Sequence, residues 1–588
     1  MPNARRLALA APLLLSTLAW AVPERADACG GTFCDSGPNN MPVDQTGENI
    51  LFILDGNTVE AHIQIQYDPN TDASKFAWVI PVLALPEFSV GSQPLFNNLL
   101  AGSVPTYGFN TTQEACGTDP NAPPPSNGDS GGALSGTAGD GEGDTADDSG
   151  GPEILYNATV GAFDIVVLQE DDVASLMQWL GDNGYQQDPK AEPIFEQYIK
   201  EGHLFVAFKL TNNTEIGEIH PVVLKYTGEE SCVPIRLTRI AAQEDMDIRT
   251  FFLGDARAVP INYRHVLVNP LKIDWPNFAA NYKEVITLAV DAFGADGRAF
   301  VTEYAGTSSV VPQLGLHDPA WDAAAFAALE PVQVVDTLTQ QGLVACFEDF
   351  EAVCQYNHPL LASILGKYLP PPQGIDPDEF YACLSCYADM IDLAAWDGEA
   401  FAADFEQRIV APGKHAVELL TTYPYLTRMY TTISPAEMME DPIFRPNAEL
   451  AEVPNLLQAT RLLRCDGHAN WTLPDGREVF VPNNGPWPDF DAELPYEEEV
   501  QTTGIKGAPM TLVNNTAAIN KALDAWNRKM DPVEGQLPPG SDEPDPDADD
   551  PAGSNSGCSC DARAGAGSIA ASLTLLGLAA VRPRRRRA

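Results

Sequence analysis

The sequence predicts an α+β protein: a mostly antiparallel, β-rich N-terminal body with inserted helices, followed by a largely helical C-terminal region. Three observations lead there. Val59-Glu60-Ala61-His62-Ile63-Gln64-Ile65-Gln66-Tyr67 alternates apolar and polar residues, the period of a half-buried strand. Strand-like runs recur up to residue 274, with one helical pair set among them. From residue 275 the apolar spacing turns to that of helices.

Residues 49–54 and 76–82 flank the alternating run and read as its neighbours. Residues 156–168 form the next strand region. Val173, Leu176, Met177 and Leu180 then mark one helix face, with Gly181 past its end. Ile194, Phe195, Tyr198 and Ile199 mark a second helix, stopped by Gly202. Strands are predicted again at 203–210, 221–226, 234–240, 249–253 and 264–268. Helices are predicted at 282–293, 320–329, 332–341, 359–368, 378–393, 415–420 and 517–527. One late hairpin is expected, with 471–473 and 478–481 joined by the turn Pro474-Asp475-Gly476. No fixed-period repeat is visible, which argues against solenoids and propellers.

The 588 residues carry 34 Lys+Arg against 82 Asp+Glu, a net charge of −48. A polyanion needs a basic face, so this balance argues against nucleic acid as a partner, and equally against adsorption to anionic lipid. At 44% hydrophobic residues the chain can bury a core. Two stretches break the pattern. Residues 117–152 are rich in Gly, Pro, Ser and Asp and read as a disordered acidic insertion. Residues 533–557 are acidic and Pro-rich and read as a stalk.

The two ends read as targeting segments. Residues 1–28 have the form of a signal peptide: Arg5 and Arg6, an apolar run, then Ala26-Asp27-Ala28 as the cleavage site. Cys29 follows at once, but Asp27 and Ala26 are poor residues for a lipoprotein signal, which favours ordinary signal peptidase. At the other end, Cys558 and Cys560 precede an apolar run from Ala564 to Val581 and the cluster Arg584-Arg585-Arg586-Arg587. A plain C-terminal transmembrane anchor has this form. The order of Cys motif, short helix and Arg tail also resembles the myxobacterial-type C-terminal sorting signal, MYXO-CTERM. That resemblance implies processing by a sorting protease, with Cys558 or Cys560 as the anchoring point at the outer membrane and cell surface.

Export implies an oxidising compartment, so the 11 cysteines become candidates for disulfides. Cys346, Cys354, Cys383 and Cys386 are the leading candidates, and four cysteines allow three connectivities. Cys29 and Cys34 could close a small loop. Cys383-Leu384-Ser385-Cys386 also has the spacing of a thiol-disulfide motif. However, residues 378–381 already read as helix before it, where a redox site would have a strand.

No catalytic set assembles from motifs. Gly128-Asp129-Ser130-Gly131-Gly132 copies the string around a serine-protease nucleophile, but it lies inside the low-complexity insertion. The 8 histidines are scattered, at 62, 203, 220, 265, 317, 358, 415 and 468, with no H-E-x-x-H or H-x-H pair. Each reads as a surface or satisfied core residue, so no metal and no cofactor is expected. Asp545, Asp547 and Asp549 alternate but lack the Gly and Glu of a calcium loop. Asp44 and Glu48, in a turn at 42–48, are the ordered carboxylates most open to suspicion.

Several motifs carry a family resemblance: Cys29-Gly30-Gly31, Pro42-Val43-Asp44-Gln45-Thr46-Gly47-Glu48, the alternating run at 62–67, Phe76-Ala77-Trp78-Val79-Ile80-Pro81-Val82, residues 160–168, Gly184-Tyr185 and Pro234-Ile235-Arg236-Leu237. In this order they resemble domain of unknown function family 2330, over residues 29 to 370. The resemblance implies an exported bacterial protein and no known activity. The expected layout is a signal peptide at 1–28, a β-rich body at 29–274, a mainly helical region at 275–532, the stalk, and the sorting signal at 558–588. The expected function is a non-enzymatic structural or interaction module anchored at the cell surface. The alternatives are a secreted hydrolase with a site of scattered Asp, Glu and His, or a thiol-disulfide enzyme using Cys383 and Cys386.

Overall fold

Alternation along strand β2 (Thr58–Tyr67) sends Val59, Ala61, Ile63 and Ile65 to one side and Glu60, His62 and Gln64 to the other. This two-sidedness organises the fold. The computed structural model describes residues 45–67, 77–116, 152–185, 188–211, 218–228, 231–348, 352–490 and 493–531. All of these belong to one compact unit, Met1–Pro532. The signal segment, Cys29 and Cys34, Asp44, the insertion as far as residue 151, the stalk and the C-terminal segment with Cys558 and Cys560 lie outside the described residues.

β2 sits inside a ten-stranded sheet. Its order is Met510–Asn514, Glu497–Thr502, Arg264–Val268, Ala299–Thr307, Tyr425–Ile433, Ala242–Gly254, β1 (Gln45–Asp55), β2, Val222–Thr227 and β4 (Glu87–Val90). Pairing is antiparallel except at two places, β1 with Ala242–Gly254 and Arg264–Val268 with Ala299–Thr307.

Strand β3 (Ala77–Val82) does not flank β2 as expected. It pairs with Leu204–Leu210 in a second, four-stranded antiparallel sheet with Phe163–Gln169 and Glu153–Val160. The two sheets face each other across one core that joins Ile50, Phe52, Ile63 and Phe252 to Trp78, Ile80, Ile165 and Phe208. Helices Val173–Asp182 and Glu192–Lys200 cover the outer face of the smaller sheet through Leu176, Leu180, Phe195 and Tyr198. Helices α1 (Gln93–Ser103), Tyr282–Val290 and Ala411–Thr422 cover the free face of the large sheet.

The α+β class holds, with helices clustering toward the C-terminus. A lobe of short helices packs its own core around Phe326, Leu338, Ile364, Phe380 and Phe405. The later region also contributes strands: Ala299–Thr307, Tyr425–Ile433, Glu497–Thr502 and Met510–Asn514 enter the large sheet. Ala299–Thr307 and Tyr425–Ile433 are buried on both faces, so they show no alternation to read. Residues 234–240, expected as a strand, contain the helical turn Ile235–Thr238. The helix expected at 320–329 shrinks to a 3-10 segment, Ala323–Phe326. The one expected at 378–393 breaks at Cys383 into Pro377–Ala382 and the 3-10 segment Leu384–Met390. The late hairpin forms as Ala469–Thr472 and Glu478–Val481 around Gly476, whose φ of 88° suits glycine.

Candidate functional site

Glu60 and His62, two apart on β2, share the helix-covered face of the large sheet. Their cross-strand neighbours are Ile53 and Lys225 for Glu60, and Leu51 and Val223 for His62. Above them runs the helix Ala411–Thr422, which continues from a π-helical turn, Glu406–Val410. That turn buries Arg408, whose Nη2 donates to Glu218 Oε2 at 2.8 Å. Ala416, Leu419 and Leu420 press the helix onto the sheet. His415, one residue before Ala416, is thereby turned toward β2.

The three side chains meet at one atom. His415 Nε2 is 2.5 Å and His62 Nε2 is 2.9 Å from Glu60 Oε1. The imidazoles stack, with centroids 5.8 Å apart and planes 12° from parallel. Lys225 Nζ lies 3.2 Å from the other carboxylate oxygen, Glu60 Oε2. Glu418 Oε2 stands 3.7 Å from His415 Nδ1. One donor atom from each of Glu60, His62 and His415 lies within 4.8 Å of the other two.

Burial pushes the Glu60 carboxyl up, but the hydrogen bonds from His415 and His62 outweigh it and hold the group well below the usual carboxylate range. Burial pushes His62 below the ordinary imidazole value despite Glu60. The hydrogen bond to Glu60 raises His415 against its own partial burial. His62 Nδ1 is buried with no hydrogen-bond partner, a condition that costs about 1–3 kcal/mol. Two imidazole nitrogens and one carboxylate oxygen form a donor set suited to a first-row divalent ion.

The opposite face of β2 borders a cavity of about 620 Å³ between the two sheets. Phe52, Ala61 and Ile63 of the large sheet and Ile80 and Val82 of β3 supply apolar wall. Its polar end is an ion network centred on Arg236. Arg236 Nε donates to Asp441 Oδ2 at 2.8 Å, and Nη1 and Nη2 donate to the two oxygens of Glu201 at 3.0 and 2.6 Å. The guanidinium also covers the Tyr198 ring at 3.9 Å, and Tyr198 donates to Asp441 at 2.7 Å. Burial would lower Arg236, but Glu201 and Asp441 hold it firmly charged. Glu201 and Asp441 are thus engaged with Arg236 rather than turned toward a substrate.

Other expected residues fall elsewhere. Cys346 and Cys354 are directly opposite in the hairpin Val344–Glu348 and Ala352–Tyr356 and form a disulfide. Cys383 bonds Cys386 at the end of the helix Pro377–Ala382. A third disulfide, Cys116–Cys465, ties the parallel strands Thr106–Gln113 and Leu456–Leu463 just beyond their last pair, Gln113 and Leu463. Glu48 lies in β1 rather than in a turn; it is buried and accepts from Thr238 Oγ1 at 3.1 Å. Residues 128–132 and Asp545, Asp547 and Asp549 lie outside the described residues. Glu60, His62 and His415 were not expected as a site. The local signal was Glu60-Ala61-His62 on an alternating strand, which sets two ligating side chains on one face.

Comparison with known proteins adds a family. The model of an uncharacterized protein conserved in bacteria, DUF2330, matches residues 23–318. No curated protein matches the chain. Among solved structures, baculovirus P35 is similar at 12% identity and a TM-score of 0.20, over 39% of this chain and 75% of that one. A mutated baculovirus P35 after caspase cleavage is similar at 10% identity and the same TM-score, over 39% of this chain and 80% of that one. Neither likeness carries an argument about fold or function.

Proposed function

This chain belongs to the DUF2330 family of uncharacterized proteins conserved in bacteria, and from that premise we propose an exported, surface-anchored binding module that works without catalysing a reaction. The cavity between the two sheets carries the reading. One wall is apolar, from Phe52, Ala61, Ile63, Ile80 and Val82, and the charged end at Arg236 is fixed by mutual ion pairs, which suits reversible uptake of a small amphipathic molecule. Three disulfides among the described residues fit folding in an oxidising compartment. The signal-like residues 1–28 and the MYXO-CTERM-like residues 558–588 supply the route: signal peptidase at one end, a sorting protease at the other, and anchoring at the outer membrane through Cys558 or Cys560.

Mass spectrometry of the protein recovered from the cell envelope tests the route. The expected chain begins at Cys29 and ends at Cys558 or Cys560; an unprocessed chain in the cytoplasm overturns it. Ligand uptake is tested with an amphipathic fluorescent probe, 1-anilinonaphthalene-8-sulfonate. Saturable binding is expected for the native protein and weaker binding for Ala61→Phe, which puts a ring into the cavity; equal binding by both overturns the assignment.

A further inference from the structure

We propose that Glu60, His62 and His415 bind one zinc-class divalent ion that fastens the helix Ala411–Thr422 to the large sheet. This is independent of the cavity, which lies on the other side of β2. The donor set comes from two elements remote in sequence, a strand and a helix, and converges on a single point. Two neutral imidazole nitrogens with one carboxylate oxygen are the ligands of many three-residue zinc sites, in which the fourth position is left to water. Thiolates are not needed, so the site is compatible with an oxidising compartment.

The surroundings fit monodentate ligation. Lys225 occupies Glu60 Oε2 and leaves Oε1 for the ion. Glu418, near His415 Nδ1, is the outer carboxylate that orients a ligating imidazole. Present donor separations of 2.9 and 2.5 Å are those of hydrogen bonds. Around an ion with bonds of about 2.0–2.1 Å they would widen to about 3.3 Å. His415, with a side chain 36% exposed, has room to make that shift, whereas His62 and Glu60 are fixed in the sheet.

The position also explains the arrangement. The helix rests on the sheet through Ala416, Leu419 and Leu420, toward its C-terminal end. An ion at His415 would pin the preceding turn, next to the π-helical segment Glu406–Val410.

The test uses the full mature chain, stripped of metal and titrated with Zn²⁺. One tight equivalent is expected by elemental analysis and calorimetry, with a rise in melting temperature. His415→Gln, on the partly exposed helix, should weaken that class about 100-fold or more and abolish the thermal shift. Co²⁺ in the native chain should show the visible bands of a tetrahedral nitrogen and oxygen site, absent in His415→Gln. Circular dichroism confirms that the variant is folded; should it not be, Glu418→Ala, outside the donor set, should weaken Zn²⁺ about 10-fold and keep the Co²⁺ bands. A native chain without a tight equivalent, or a folded His415→Gln that binds as the native does, overturns the proposal and leaves a hydrogen-bonded cluster.

Discussion

The two faces of the ten-stranded sheet are built on different terms. Toward the second sheet, Ile50, Phe52, Ile63, Leu224 and Phe252 form an apolar layer that leaves a cavity of about 620 Å³. Toward the helices, one row crosses the strands from Arg428 through Phe251 and Leu51 to His62, mixing charged and apolar side chains under close cover. Arg428 Nε donates to Glu303 Oε2 at 2.5 Å, and Tyr282 donates to Glu303 Oε1 at 2.8 Å. Apolar packing tolerates a void because an apolar side chain needs no specific partner. Buried charges do not, because each must keep a specific neighbour in reach. The open face is therefore the natural place for a ligand, and the crowded face the natural place for fixed polar contacts.

The largest test of that contrast is Glu303→Ala. It leaves the buried Arg428 without its carboxylate, and a loss of about 3–5 kcal/mol is expected in urea denaturation. Replacing both partners, Glu303→Leu with Arg428→Met, should recover most of it. Recovery of none would mean that the pair does more than satisfy itself.

Added bulk should sort the faces next. A Cβ at Gly413, in the helix that carries His415, would stand 2.0 Å from the Leu316 carbonyl oxygen. Gly413→Ala should cost about 1–3 kcal/mol by forcing backbone apart. Ala61→Leu, into the cavity, should change stability by less than about 1 kcal/mol. Thermal or urea unfolding of the two variants measures the difference directly.

Acid response gives an effect graded with pH. On the cavity-side face His265 bonds Gln501 and Thr302, with Arg257 Nη2 3.5 Å from its Nε2, and burial first, then the charge of Arg257, pushes it down to about 4. Above about pH 6.5 it is neutral folded or unfolded. Between about pH 6.5 and 4 only the unfolded chain takes the proton, so its share of stability falls on acidification by up to about 1.4 kcal/mol per pH unit. His265→Gln should remove one proton from the slope of stability against pH in that window. An unchanged slope would show that His265 takes up its proton in the folded state.

What was legible in the chain followed local physics. β2 spans Thr58–Tyr67 against an expected 59–67, since alternation is written residue by residue. The Pro474-Asp475-Gly476 turn likewise declared its hairpin. Partner choice was not legible, because pairing is decided by distant residues: β3 left its sequence neighbour β2 for Leu204–Leu210. Ile235 and Leu237 imitate a strand's period over a stretch too short to tell from a helical turn. For the site, Glu60 and His62 could be placed on one face. His415, 355 residues beyond Glu60, offered no local sign of meeting them.

The Cys116–Cys465 bond bears on what happens when the chain is cut. Every peptide link from 117 to 151 lies inside the ring this disulfide closes. Severing any of them opens the ring but releases nothing, because the segment ending at Cys116 stays covalently joined to Cys465. The inserted tract can therefore be clipped, or rewritten in length and composition, while the parts on either side of it persist as one molecule.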